Sequence, residues 1–486
     1  MIYTPQQEAF FDTAASRDSI ALKARAGSGK TFSLQTWATK CQSSGLSTSF
    51  SKSTVTELGK KMPRKFPAQT LHSIGLAAIR NSGKFTKIEK SKLYDITKLV
   101  IEDAEAGWDL QSPVMKLVSL AKTFGIIPGQ LTTPALLPDT PEEWENLADQ
   151  YDITFNDEIL SICRKVLTIS NTSSLKDGLI DFDDMLYIAL LWPHRFPRFP
   201  TLIGDEVQDW NTLQHMMAGR LLLPGGRIIV AGDPRQAIYA FRGALADSYS
   251  ALISRFKMQE LPLTVSFRCP KAVIQEAQRW VPDIEAAPDA IEGRVETLSD
   301  LHIQSVPPIV LCRNNAPLIR LALKLLISGR TAEVAGQDIG KGLISLTKRI
   351  TKRNLSSSDF IDRLQKWADR EISRKPRSKG RVEDKKLALI ALAEHHKDLK
   401  GVQSHLSSLY PNPNDRSYRP AEVQLSTIHR AKGREWPHVL FLDPHLLPSK
   451  YAEQEWELVQ EDNVAYVGVT RSQDTLQYIK SEEIYT

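Results

Sequence analysis

The chain has 486 residues, 42% of them apolar and 24% charged, with a formal charge of +5 at neutral pH. That length predicts about three domains with well-buried cores, and no apolar run approaches the roughly 20 residues that a membrane-crossing helix needs. Four scattered cysteines without C-x-x-C spacing argue against a zinc site or a disulfide framework. The slight basic excess admits a polyanionic partner without demonstrating one.

In chain order, "MIYTPQQEAF" lacks the pattern of a secretion signal, so a cytoplasmic or nucleoid location is expected. "DSIALKA" then reads as a short buried strand, "ARAGSGKT" as a glycine-rich turn and "TFSLQTWATKCQ" as a helix with Phe32, Leu34, Trp37 and Ala38 sharing parts of an apolar face. Strand, glycine-rich turn and helix form the context of a phosphate loop. Ala24 stands where the common pattern has glycine, a change of one methyl group. Ala26, Gly27, Ser28 and Gly29 would turn their amides toward phosphate, Lys30 would reach the outer phosphates, and Thr31 would ligate Mg²⁺.

Three segments with helical spacing follow, "KLYDITKLVIEDA", "SPVMKLVSLAKTFG" and "NDEILSICRKVLTI", interrupted by the proline-rich "IIPGQLTTPALLPDTPEEW". "PTLIGDEVQDW" then places Asp205 and Glu206 at a strand end, where Asp205 would hold Mg²⁺ and Glu206 would polarise the attacking water. "GRIIVAGDPRQAIYAFRGA" supplies a further strand leading to Gln236. Three strand-end signals in this order make an accidental glycine turn a poor explanation of the loop.

With these motifs in place, the sequence resembles the UvrD/Rep/PcrA group of superfamily 1 helicases from residue 3 to about 475. The resemblance is carried by "YTPQQEAF", "ARAGSGKT" (that group opens the loop with alanine), "FSKSTVTEL", "TLHSIGL", "DFDDML", "DEVQD", "GDPRQAIYAFRGA", "LTVSFRCP", "VLCRNNAPL", "LSTIHRAKGREW" and "AYVGVTR". Among its members, the chain leans toward the smaller F-box DNA helicase branch.

The resemblance implies an α/β fold of two tandem RecA-like P-loop domains with parallel sheets, each interrupted by an insertion, with ATP in a cleft between them. The expected divisions are 1–80 with 176–262 as the first motor domain and 81–175 as its helical insertion. Residues 263–345 with 421–486 would form the second motor domain, and 346–420 its short insertion. Gln7 would read adenine. Phe267 would stack on it, and Phe32 would either stack from the other side or pack into the core. Gln236, Arg268 and Arg471 would meet the γ-phosphate, and Glu435 the ribose.

The same resemblance assigns Phe50, Thr70, His72, Arg313, Asn314, Thr427 and His429 to the single strand. Tyr239, Phe241 and Arg242 join them, where aromatic faces beside a cation suit base stacking. The implied activity is ATP-dependent 3′-to-5′ movement on single-stranded DNA, with unwinding at single-strand/duplex junctions. The alternative is a DNA-stimulated ATPase subunit that switches or recruits a protein partner. The basic run "SRKPRSKGRVEDKK" reads equally as a duplex-phosphate contact or a solvated surface.

Overall fold

A computed structural model describes residues 3–83, 86–129, 137–151, 153–192, 194–238, 248–412, 415 and 418–485, except 375–378. The chain divides into two compact units, one of Met1–Ala24 with Gly29–Leu263, the other of Arg25–Ser28 with Thr264–Thr486. Among the described residues, no helix is long and apolar enough to cross a membrane.

The first unit is built on a parallel sheet of β1 (Ile20–Ala24), β2 (Leu46–Ser49), β3 (Phe199–Asp205), β4 (Leu222–Gly232) and β5 (Gln259–Leu263), in the order β2-β3-β4-β1-β5. Side chains alternate across each strand, so each strand feeds two cores. Ile20, Leu22, Ile203, Ile229 and Ala231 face one core, beneath helices α1 (Pro5–Thr13), α2 (Lys30–Lys40) and α3 (Lys52–Lys61). Ala21, Leu202, Ile228 and Val230 face the other.

That second core is filled by α4 (Leu71–Arg80), α5 (Lys92–Asp103), α6 (Gln111–Phe124), α7 (Pro141–Gln150), α8 (Asp157–Lys176), α9 (Asp184–Leu191), α10 (Thr212–Arg220) and α11 (Ser248–Phe256). The long helical stretch between β2 and β3 therefore shares one apolar core with the sheet.

"DFDDML" lies where these helices meet. Lys122 bridges Asp181 at 2.5 Å and Asp184 at 2.8 Å, and Lys92 reaches Asp184 at 2.6 Å, all of them buried. Two ammonium groups facing two carboxylates balance charge in a medium where an unpaired ion would be costly. Asp183 beside them donates nothing to this balance. Burial and the Asp181 charge push its carboxyl up to about 6, against a hydrogen bond from Ser119.

The second unit holds a parallel sheet of β6 (Arg294–Thr297), β7 (Ile309–Cys312), β8 (Ala332–Val334), β9 (Val423–Thr427), β10 (Trp436–Leu442) and β11 (Ser472–Ile479), in the order β6-β11-β10-β7-β9-β8. Helices α12 (Lys271–Ala277), α13 (Asn315–Ile327), α14 (Gln337–Ile350), α15 (Ser357–Arg374), α16 (Lys379–Ala393), α17 (Leu399–Leu409), α18 (Ile428–Ala431) and α19 (Glu455–Val469) complete it.

Phe360 of α15 and Leu389 and Leu392 of α16 join Leu318 of α13 and Val310, Leu425 and Leu440 of the strands in one core. Asp384 of α16 also caps α13, accepting from Asn315 N at 3.1 Å and Ala316 N at 2.9 Å, which satisfies amides left open at a helix start. The basic run is accordingly part structural. Its described half, 379–386, lies in α16, where Lys386 is buried and pairs with Glu383 at 2.8 Å.

Candidate nucleotide and strand-binding sites

The loop that joins β1 to α2 has Gly27 at φ +73° and Gly29 at φ +78°, conformations that a side chain strains. Gly29 is the residue at which α2 begins, so Lys30 and Thr31 occupy its first turn, where free amides and the positive helix end favour anions. Thr31 Oγ1 donates to Asp205 Oδ2 at 2.7 Å, and Lys30 Nζ lies 2.9 Å from Glu206 Oε1. Lys30 and Thr31, the latter 174 residues from Asp205, thus form one cluster with Asp205 and Glu206 at the carboxyl ends of β1 and β3. Glu206 holds a left-handed backbone at φ +55°, a conformation costing about 1–3 kcal/mol that the packing around it must offset.

One ammonium faces three carboxylates in this cluster. Burial alone would push the Lys30 ammonium down, but Glu206, Asp205 and Asp233 together outweigh it and hold it above the ordinary lysine value. Asp205 is pushed up by burial and by the neighbouring Glu206, against Lys30 and Thr31.

A chain of hydrogen bonds continues the cluster. Gln208 Nε2 donates to Glu206 Oε2 at 2.6 Å, Asp233 N donates to Gln208 Oε1 at 3.1 Å, and Gln236 Nε2 donates to Asp233 Oδ2 at 2.7 Å. Gln236 is therefore tied to Glu206 through Gln208 and Asp233. Motif reading assigned no role to those two linking residues. Their signal was present in "DEVQD" and "GDPRQ", as polar letters at buried strand ends.

Gln7 is buried, with its amide occupied. Its Oε1 accepts from Thr4 N at 3.1 Å and its Nε2 reaches Ser33 Oγ at 3.4 Å, so in this conformation it closes the capping box of α1. Phe32 is half-buried and lies beside Tyr3, with ring centroids 6.3 Å apart. Tyr3 in turn packs edge-on against Phe11 at 5.0 Å, which adds an aromatic residue that sequence reading passed over.

In the second unit, Ala26 N donates to the Tyr466 hydroxyl at 2.8 Å, and Phe267 N donates to Gly27 O at 2.9 Å. Ser28 Oγ is buried with no hydrogen-bond partner among the described residues. A Cβ on Gly27 would fall 2.5 Å from Arg268 Cβ, so the loop and the arginine segment leave no room for a side chain there. Phe267 is 54% exposed, with a face available for stacking.

Two of the expected site residues are engaged within the protein. Glu435, expected at a ribose, pairs with Arg268 and accepts from Gln473 Nε2 at 3.2 Å. Arg471, expected at the γ-phosphate, is enclosed. Its nitrogens donate to Val467 O at 2.8 Å, Arg434 O at 3.1 Å and Thr470 Oγ1 at 3.1 Å, and burial lowers it to about 10.

The strand-directed residues fall into three groups. Thr70 caps α4, and His72 in its first turn stacks on Phe182, with ring centroids 4.3 Å apart and an interplanar angle of 20°. Phe182 is 63% exposed, so while the acids of "DFDDML" turn inward, its aromatic letter turns outward. Burial pushes His72 down to about 4, which keeps the imidazole neutral. Phe50 instead packs partly buried against the adjoining core.

The second group stands at adjacent strand ends, since Cys312 of β7 pairs with Thr427 of β9 and places Arg313 and Asn314 beside Thr427 and His429. Arg313, expected at the strand, is held in a two-pronged pair with Glu461, at 2.6 and 3.0 Å. The third group, Tyr239, Phe241 and Arg242, lies outside the described residues.

The donor set fits a magnesium-bound nucleoside triphosphate. Mg²⁺ takes one or two protein oxygens and fills its octahedron with water and phosphate, and Thr31 with Asp205 offers such a pair. The unpartnered Ser28 hydroxyl and the buried Lys30 ammonium add groups suited to phosphate oxygens. A parallel sheet, a glycine-rich loop opening a helix, and acids at the neighbouring strand end define a P-loop nucleotide-binding protein.

The chain belongs to the UvrD/REP helicase family. The UvrD/REP helicase N-terminal domain matches residues 3–257, and the UvrD-like helicase C-terminal domain matches residues 330–483. It is 22% identical over 471 residues to DNA helicase II of Salmonella typhimurium, an alignment covering 70% of this chain and 65% of that protein. DNA helicase II of Escherichia coli matches with the same identity and coverage. F-box DNA helicase 1 of Gallus gallus is 25% identical across 99% of this chain and 49% of its own. The chain thus spans about two thirds of the first relatives' length and about half of the last one's.

Proposed function

We propose that this protein is an ATP-dependent DNA helicase that moves 3′ to 5′ along a single strand and opens duplex ahead of it. The observation that carries the reading is the joint placement of Lys30 on Glu206 and Thr31 on Asp205. Lys30 pairs with Glu206. Phosphate oxygens arriving at the first turn of α2 would draw the ammonium away, and Glu206, released, would take the proton of the attacking water. Mg²⁺, held by Thr31 and Asp205, would supply charge neutralisation between the outer phosphates. Gln208 and Asp233 keep Gln236 aligned with Glu206, so a change at the sensor is felt at the base. Arg268 and Arg471 are taken to meet the γ-phosphate on the likeness of their motifs to the UvrD group.

For the strand, Phe182 on His72 is a stacking platform that accepts any base. The 3′-to-5′ sense follows the likeness of the motifs to the UvrD group. Its test is strand displacement on duplexes with a 3′ or a 5′ single-stranded tail, in DNA and in RNA, with phosphate release measured in parallel. Opening of 3′-tailed DNA alone is expected. Opening only of 5′-tailed duplexes would overturn the direction, and DNA-stimulated hydrolysis without unwinding of either would replace the motor by an ATPase switch.

A further inference from the structure

The turn that carries Phe182 is closed by the acids on either side of it. Asp181 N donates to Asp184 Oδ2 at 3.0 Å, and Asp184 N donates back to Asp181 Oδ1 at 2.9 Å. Phe182 and Asp183 form the tip, immediately before α9. Three of the helices between β2 and β3 hold these carboxylates. Lys92 of α5 reaches Asp184, Lys122 of α6 bridges Asp181 and Asp184, and Ser174 of α8 donates to Asp184 at 3.1 Å. The side chains of Lys92, Lys122 and Asp184 are at most 1% exposed.

Stability alone does not account for two lysines in this core. Apolar residues of similar volume often fill the place of a buried ion cluster with equal or greater stability, because ions lose their hydration on burial. What a connected polar network adds is a single conformation, since each of its bonds has a direction. Here the feature so fixed is an outward phenylalanine. A free aromatic ring tends to leave water for an apolar core. Phe182 is flanked by two carboxylates already paired with buried lysines, and a ring turned inward would have to part them. It stays 63% exposed and stacked on His72. The place of His72 is set separately. α4, which carries it, lies so close to α9 that a Cβ on Gly75 would fall 1.9 Å from Met185 O.

We infer that Lys92 and Lys122 are positioning residues for single-strand binding. They hold Asp181 and Asp184, and through them the turn that presents Phe182 to a base, a role that rests on the stacking platform proposed above. The helices between β2 and β3 thereby take part in gripping the strand, through two buried ammonium groups.

The test is a double-mutant cycle on the full chain. Affinity for a fluorescein-labelled oligothymidylate is read by anisotropy, and the binding-competent fraction is counted by stoichiometric titration. Lys122→Met alone would strand a buried carboxylate, so it is paired with Asp181→Asn, whose amide oxygen can still accept from Asp184 N. This balanced pair and Phe182→Ala should each weaken binding about ten-fold, the equivalent of about 1.4 kcal/mol, and all three substitutions together should weaken it no further. Lys92→Met, which leaves both carboxylates on Lys122, is the milder variant should the balanced pair not fold. It should weaken binding about three-fold, with no further loss beside Phe182→Ala. A purely structural role would lower the competent fraction and leave the affinity of the remainder unchanged. Parental affinity in either lysine variant, or losses that multiply with that of Phe182→Ala, would overturn the positioning role. Parental affinity in Phe182→Ala would instead refute the platform itself.

Discussion

Replacing Gln208 by alanine would test whether the base and the sensor act as one unit. Gln208 is 1% exposed, and its amide is bonded on both sides, to Glu206 at 2.6 Å and to Asp233 N at 3.1 Å. Truncation removes the Gln208 acceptor from the buried Asp233 amide, which costs about 1–3 kcal/mol, and removes a charge-assisted bond contributing about 1.5–3 kcal/mol. Some relief comes if water enters the space, so a net loss of roughly 3 kcal/mol is expected, or about 6–12 °C in melting temperature for a unit of this size.

Turnover should fall further than stability implies. Gln208 touches no phosphate, so nucleotide affinity should stay within about three-fold of the parent, while kcat drops roughly 10²-fold as Glu206 loses its alignment. The assays are phosphate release at saturating single-stranded DNA and equilibrium binding of a fluorescent ATP analogue. A kcat within three-fold of the parent with unaltered melting would refute the relay. Gln208→Glu sharpens the test, since it sets a second carboxylate against Glu206. The pair would then share a proton, and activity should rise as pH falls from 8 toward 6.

Lys30→Ala should lower turnover at least about 10³-fold with the fold retained, because Glu206 can turn toward water once its partner is gone. Normal phosphate release in that variant would remove the nucleotide site from this loop. Phe182→Ala should weaken single-strand affinity about ten-fold, read by fluorescence anisotropy, and leave DNA-free hydrolysis unchanged; equal affinity would deny its stacking role.

For pH, His215 is buried against Ser248 and lowered by burial from 6.5 to about 4, so it is neutral in the native protein. The stability it confers is present above its unfolded value of 6.5 and is lost as pH falls toward 4, amounting to about 2 kcal/mol by pH 5. Asp183, raised to about 6, works in the opposite sense, since its contribution is lost as pH rises through that value. Urea unfolding of His215→Gln between pH 7 and 5 should therefore show less acid destabilisation than the parent; an identical difference between the two pH values would refute the linkage.

What the sequence made legible was local. The phosphate loop reads directly because two positive-φ glycines, a lysine and a threonine fall within five residues between a strand and a helix. The strands of the first sheet are equally visible, because residues such as Ile20, Ala21 and Leu22 alternate between two cores and each must be apolar. Partnership between distant residues was not legible. Nothing in "VLCRNN" announces that Arg313 is claimed by Glu461, and nothing in "AYVGVTR" announces that Arg471 folds back onto Val467 and Arg434. An arginine in a motif reads the same whether its nitrogens face a ligand or carbonyls of its own chain. "DFDDML" shows the same ambiguity, its acids serving two buried lysines and its phenylalanine facing outward.

The helices of 337–409 bury Phe360, Leu364, Leu389 and Leu392 in the core that the second sheet also uses, and lend Asp384 to the start of α13. A segment anchored in this way cannot be trimmed off as an appendage. Excising it would open an oily wound across α13 and leave two helix amides bare, and the predicted product is an aggregate instead of an unregulated enzyme. A swinging arm of the kind that throttles or releases a motor would first have to tear its described helices out of that shared core.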